Sequence, residues 1–291
     1  MLICSLIAPP GGLSVDMAGN LFSAWGGREL TWLHPREAAE FEIAAMPENR
    51  WQVWQDLQEM RVDLVVQPKA GRRKKLLLAD MDSTMIQQEC IDELADLAGV
   101  GTQVKGITAK AMNGELDFEQ ALRARVALLE GQPASIIDHA LKTRIFFTAG
   151  GAELLATMKA NGAYTALVSG GFTAFTQPVS QHLGFHEHHA NQLLVNHGVV
   201  TGQVSDPILG QQAKVEALER LTAQLSITAQ DVLAVGDGAN DLGMLKRAGS
   251  GVALHAKPSV AAQCDIRINH GDLTALLFLQ GYPRSAFRTA V

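Results

Sequence analysis

The sequence predicts an α/β fold: a doubly wound, Rossmann-like parallel sheet with a helical cap insert, preceded by a small ferredoxin-like α+β domain. From residue 150 onwards, short apolar runs alternate with helical stretches, the rhythm of repeated βα units. Between about residues 85 and 148 that rhythm gives way to a stretch that is helical throughout. Residues 1–70 follow the order βαββαβ. The expected units are therefore 1–70, and 74–291 with its cap at about 85–148.

In the first unit, Leu2 to Ala8 reads as a strand and Val15 to Trp25 as a helix stopped by Gly26-Gly27. Glu29 to His34 and Ala39 to Ala44 read as strands turned at Pro35. Asn49 can cap a helix over Arg50 to Met60, where Trp51, Trp54 and Leu57 share a face. Val62 to Val66 closes the unit. Trp25, Trp32, Trp51 and Trp54 are expected in a core or an interface rather than around a cofactor. Pro68 to Arg73 reads as a linker, and Arg72 to Lys75 as its solvated basic end.

Leu76, Leu77, Leu78 and Ala79 form a run expected to be buried on both faces, ending in Asp80-Met81-Asp82-Ser83-Thr84. A stripe of Ile86, Ile91, Leu94 and Leu97, stopped by Gly99, opens the helical insert. Thr102 to Asn113, Phe118 to Leu129 and Pro133 to Leu141 continue it. At that location it would cover the strand ends and exclude water. Beyond it, helix Ala152 to Lys159 leads to strand Tyr164 to Val168 and Ser169-Gly170-Gly171. Helix Thr173 to Leu183 precedes a strand over Ala190 to Asn196, which turns at His197-Gly198 into Val199 to Val204. Lys214 opens a helix over Val215 to Leu225, followed by strand Val232 to Val235 and Gly236-Asp237-Gly238-Ala239-Asn240-Asp241. Helix Leu242 to Ala248 and two shorter βα units complete the chain.

With 291 residues, 47% hydrophobic and 19% charged, the composition is that of a globular protein. A net charge of −6 argues against general nucleic-acid binding. Cys4, Cys90 and Cys264 are scattered, without the spacing of a disulfide framework or zinc site, which fits a reducing cytoplasm. The apolar start lacks the positive region of a signal peptide, and no run reaches the roughly 18 apolar residues of a membrane span. A soluble cytoplasmic protein is expected.

Chemistry concentrates at three strand ends. Asp80 and Asp82 follow one, Ser169 and Gly170 another, and Asp237, Asn240 and Asp241 a third. Burying carboxylates at a core strand end is costly unless cations or donors compensate, and in open α/β sheets ligands bind there. Acids from two such ends suit Mg²⁺ shared with a phosphate. The Ser169 hydroxyl, the Gly170 backbone and the Lys214 ammonium could hold the remaining phosphate oxygens. Asp80 could then act as a nucleophile. Against this stands a plainer reading: a helix-capping pair, a Ser-Gly-Gly turn and a surface lysine. The ordered combination favours the site.

The segments Asp80-Met81-Asp82-Ser83-Thr84, Ser169-Gly170-Gly171, Lys214 and Gly236 to Asp241 resemble the four motifs of the haloacid dehalogenase (HAD) superfamily, over roughly residues 74 to 285. Within it the chain is most similar to the branch acting on phosphoserine. The resemblance implies hydrolysis of O-phospho-L-serine, the last step of serine biosynthesis. It implies that Asp80 attacks phosphorus, while Asp82 protonates the leaving alkoxide and then activates water. It also implies magnesium held by Asp80, the Asp82 carbonyl and Asp237, with Asp241 behind them and Asn240 on the phosphate. In the cap it assigns Glu89 to the substrate ammonium and Arg125 to its carboxylate. Met112 and Phe118 are expected to wall the pocket as apolar cover. Spacing alone favours a surface pairing of Arg123 or Arg125 with Glu119 or Glu130. The first unit resembles an ACT-like amino-acid-binding domain, which would allow serine sensing or a homodimer. Phosphoryl transfer to an alcohol and a catalytically silent sensor stay open as alternatives. His182, His186, His188 and His189 lack a metal-ligand spacing and are expected in a solvated loop.

Overall fold

The structure is a computed structural model and describes residues 1–112 and 115–289, with Met112 described by its backbone only. The first sheet contains β1 (Leu2–Ile7), β2 (Arg28–His34), β3 (Ala38–Ile43) and β4 (Asp63–Pro68), with α1 (Val15–Ala24) and α2 (Arg50–Glu59) between them. Its order is β2-β3-β1-β4 and its pairings are antiparallel, the ferredoxin-like arrangement. Cys4, Leu6, Phe41 and Leu64 fill the space under the helices. Asn49 occupies the cap position of α2, but its side chain makes no capping bond.

This unit is docked firmly on the larger one. The Asp63 carboxylate accepts the backbone N–H groups of Asn269, His270 and Gly271 at 2.8–3.0 Å. The Arg267 guanidinium lies 3.9 Å from the ring centre of Trp51 and 5.0 Å from that of Trp54. Trp25, Trp32 and Trp54 also pack half-buried on the small core, so the tryptophans serve core and interface together. Only part of the basic stretch is solvated: Arg73 and Lys75 are exposed, while Arg72 is half-buried and Lys74 buried. Arg72 forks onto Glu40, Arg73 lies 4.3 Å over the Tyr282 ring, Lys74 donates to the Gln230 carbonyl, and Lys75 pairs with Asp231. These contacts tie the connection down.

The larger sheet has β5 (Leu76–Ala79) and β6 (Tyr164–Phe172) near its middle, then β7 (Glu187–Asn191) at one edge. On the other side lie β10 (Val232–Gly236), β11 (Ser250–Leu254) and β12 (Ile266–Ile268). The order is β12-β11-β10-β5-β6-β7, and its pairings are parallel. Leu76 and Leu78 face one layer of helices, and Leu77 and Ala79 the other, all fully buried. Removing one such leucine to alanine would cost roughly 2–5 kcal/mol. The layers are made by α7 (Gly151–Ala160), α8 (Thr173–Leu183), α9 (Gln211–Gln224), α10 (Leu242–Arg247), α11 (Pro258–Ala261) and α12 (Ala275–Leu279).

The expected strand 190–196 is two elements. After β7 the chain leaves the sheet, and β8 (Leu193–Asn196) pairs with β9 (Val199–Val204) as the predicted hairpin. Of the histidines, His186 is exposed in a loop as expected, but the other three lie on regular elements, with His182 on α8. His188 and His189 lie on β7, His186 stacks on Tyr164, and His182 stacks on Phe147. The cap is α3 (Cys90–Leu97), α4 (Gly101–Met112), α5 (Phe118–Ala127) and α6 (Ser135–Thr143). Ile86 belongs to no helix; it bridges Phe147, so the segments entering and leaving the cap meet there. Asn113, the expected end of α4, lies outside the described residues. No helix among the described residues is long and apolar enough to cross a membrane.

Candidate active site

The end of β5 is held in place by the backbone. Asp80 donates its N–H to the Val235 carbonyl, and its own carboxylate accepts the Met81 N–H at 2.8 Å. The N–H groups of Thr84, Met85 and Ile86 then converge on the Met81 carbonyl, with Ser83 at φ 54°. That turn leaves the Asp82 carbonyl without a backbone donor among the described residues. Asp80 caps no helix. Asp82 does accept the first N–H of α3, from Cys90 at 2.9 Å, which ties it to the base of the cap.

At the second strand end Ser169 donates its hydroxyl to Asp82 at 3.2 Å and accepts the Gly171 N–H at 2.8 Å. Gly171 gives room to a carboxylate: a Cβ there would sit 2.6 Å from Asp82 Oδ2. At the third, Lys214 reaches from the first turn of α9, fully buried, with Nζ 2.6 Å from both Asp80 and Asp241. The other Asp241 oxygen accepts the N–H groups of Asp237 and Gly238. Asp237 accepts the Thr84 hydroxyl at 3.0 Å. Asn240 lines the cavity beside Gly170.

Electrostatics follow from this crowding. Burial, and then the Asp241 charge, push the Asp80 carboxyl well up, while Lys214 opposes them. Burial also raises Asp82, and with the Asp241 charge it brings Asp237 to about 6. Burial alone would lower the Lys214 ammonium, but the two carboxylates outweigh it and raise it further. Oxygens of Asp80, Asp237 and Asp241 all lie within 4.8 Å of one another. An all-oxygen donor set with such repulsion fits a hard divalent cation. Since both Asp241 oxygens already have donors, Asp80 and Asp237 are the pair with oxygen to offer, and Asp241 orients them.

The cap closes a cavity of about 630 Å³ over these groups, and Glu89 and Arg125 both line it. Glu89 opens into it and accepts the Ser83 hydroxyl at 2.8 Å; burial and the Asp82 charge push its carboxyl to about 7. Arg125 donates to the Ala121 carbonyl and has no ion pair among the described residues. Burial lowers it, against the charges of Asp92, Glu89 and Asp82. The surface pairing falls instead to Arg123, which binds Glu119 and Asp206. Phe118 walls the cavity against Gly170 and Gly210, while the Met112 side chain lies outside the described residues. Sequence reasoning missed Thr84, Asp92, Cys90 and Lys257 at this site. The Asp-x-Asp-Ser-Thr run offered a hint only for Thr84.

The model of the haloacid dehalogenase-like hydrolases matches residues 77–246, and the chain belongs to that family. Among its relatives, the phosphoserine phosphatase of Haemophilus influenzae is 46% identical over 204 residues, covering 70% of this chain and 65% of that protein. The match thus spans slightly less than two thirds of that relative's length. A HAD family hydrolase from Salmonella enterica serovar Typhi superposes with a TM-score of 0.87 at 29% identity, covering 96% of this chain and 98% of that one. A phospho-aspartyl intermediate analogue of phosphoserine phosphatase superposes at 0.66 and 43% identity, covering 71% and 98%.

Proposed function

We propose that this hydrolase is a magnesium-dependent phosphoserine phosphatase, converting O-phospho-L-serine to L-serine and phosphate, the last step of serine biosynthesis. The observation that carries the reading is that Glu89 and Arg125, from the cap, face the same cavity as Asp80 and Asp82. An acid and a planar cation complement the ammonium and carboxylate of an amino acid.

An Asp80 oxygen attacks phosphorus, and the bond from phosphorus to the serine oxygen breaks. Asp82 gives its proton to the departing alkoxide, a poor leaving group without it. Asp82, now ionised, takes a proton from water, whose oxygen attacks the aspartyl-phosphate. The bond between phosphorus and Asp80 breaks, phosphate leaves, and both carboxyls return to their starting states. Ser169, the Gly170 N–H, Asn240 and Lys214 would hold the phosphoryl oxygens. Magnesium, held by Asp80, Asp237 and the Asp82 carbonyl, would supply the positive charge that lets a phosphate dianion approach a carboxylate. Phe118 and the cap exclude water from the first half-reaction.

A homodimer through the amino-terminal domain belongs to the same reading, supported by β2 standing at an edge of its sheet among the described residues; sedimentation at several concentrations tests it. The function is tested by a phosphate-release screen over O-phospho-L-serine, phosphothreonine and other small monoesters, with and without magnesium. Selective release from phosphoserine that needs the metal is expected. Equal release from unrelated monoesters would contradict it.

A further inference from the structure

Strand β6 does not run straight past the site. Its ladder with β7 pairs Val168 with His189 and next Phe172 with Asn191. Ser169, Gly170 and Gly171 therefore stand opposite Ala190 alone, a bulge that pushes them toward the cavity. Such a bulge takes the Gly170 carbonyl out of the ladder, and a buried carbonyl needs another donor.

The Asn191 side chain supplies it. Asn191 is 2% exposed, and its Nδ2 donates to the Gly170 carbonyl at 2.9 Å and to the Leu209 carbonyl at 3.1 Å. Its Oδ1 accepts the Leu209 N–H at 2.7 Å. Both donors and the acceptor oxygen of the carboxamide are thus in use. Leu209 is followed by Gly210, the residue that opens α9, and Lys214 lies one turn further on. Gly170 and Gly210 also flank the Phe118 ring: a Cβ on them would come within 2.9 and 3.1 Å of it.

We propose that Asn191 is the positioning residue of the phosphate side of the cavity. Its carboxamide locks the bulge that carries Ser169 and Gly170 to the segment that launches Lys214, and sets the notch that receives Phe118. The inference rests on the phosphatase reading and assigns the relative placement of its phosphate-holding groups to a side chain outside the motifs.

The test compares the full-length wild type, Asn191→Ala and Asn191→Asp in magnesium buffer, well below their melting temperatures. Aspartate keeps the buried shape and the acceptor for Leu209, but turns a lone pair toward two carbonyls; it carries the test if the alanine variant does not fold. The readouts are the dissociation constants of inorganic phosphate and of L-serine. In both variants the phosphate constant is expected to rise by about tenfold or more, the worth of one or two lost buried hydrogen bonds. The L-serine constant should stay within about twofold, because Asn191 bonds to Gly170 and Leu209 and to neither Glu89 nor Arg125. A folded variant with an unchanged phosphate constant overturns the proposal, whatever its melting temperature. So does an equal loss for both ligands, which would mean general loosening. Wild type that leaves phosphoserine intact would refute the functional reading alone, since the phosphate comparison still decides the role of Asn191.

Discussion

The Lys214 ammonium lies 2.6 Å from the Asp80 carboxylate, with the lysine side chain 1% and the aspartate side chain 7% exposed. A second carboxylate, Asp241, touches the same ammonium at the same distance. The lysine therefore does two jobs: it neutralises the candidate nucleophile and ties β5 to the turn after β10.

Replacing Lys214 by Met should abolish phosphate release and destabilise the fold by about 3–5 kcal/mol, the cost of leaving buried charges without their partner. Urea unfolding of the metal-free protein at neutral pH measures it. A loss below about 1 kcal/mol would mean that the carboxylates lean on other donors.

Gly171→Ala should act on proton delivery. The new Cβ would meet Asp82 Oδ2, which Ser169 and Cys90 hold from other sides. Turnover of phosphoserine is expected to fall by about 10²-fold, the lower end for a displaced general acid. The burst of phenol released from an aryl phosphate in the first half-reaction, where the leaving group needs no proton, should change little, since only the later hydrolysis then calls on Asp82. Equal losses on both would point to damage at the phosphate instead.

Arg125→Ala should reduce kcat/KM for phosphoserine by roughly 10–100-fold, as expected for one hydrogen-bonded charge pair. Hydrolysis of an aryl phosphate without a carboxylate should be almost unaffected. If both fall together, Arg125 serves the cap rather than the substrate.

Glu89 gives a pH signature. Its folded-state carboxyl titrates near 7 against an ordinary 4.5. Between those values the folded protein binds more protons than the unfolded chain, so this group makes stability fall as pH rises. Glu89→Gln removes that slope. In metal-free protein its melting temperature should therefore rise relative to wild type between pH 5 and pH 8, while phosphoserine binding weakens. An identical pH profile for the two proteins would show that the carboxyl titrates normally.

Much of this was legible because the relevant patterns are local. Leu76 to Ala79 is an unbroken apolar strand, and acids at its end are conspicuous against it. Other features depend on distant partners. Ile86 continues an apolar stripe in sequence but pairs across the cap with Phe147. Asn191 reads as one polar residue in a strand, because its partners lie 21 and 18 residues away. Gly171 reads as one member of a Ser-Gly-Gly turn, and only the fold brings Asp82 beside it. Within the basic run, Arg72 and Lys74 are misleading in the same way, since Glu40 and Gln230 come to them from afar.

In the proposed reaction Asp80 becomes covalently phosphorylated. Rapid acid quench of the enzyme turning over phosphoserine labelled in its phosphate tests this most directly. Wild type should carry label on the peptide containing Asp80, released by hydroxylamine, and Asp80→Asn should carry none. Label on another residue, or full turnover by Asp80→Asn, would contradict the account.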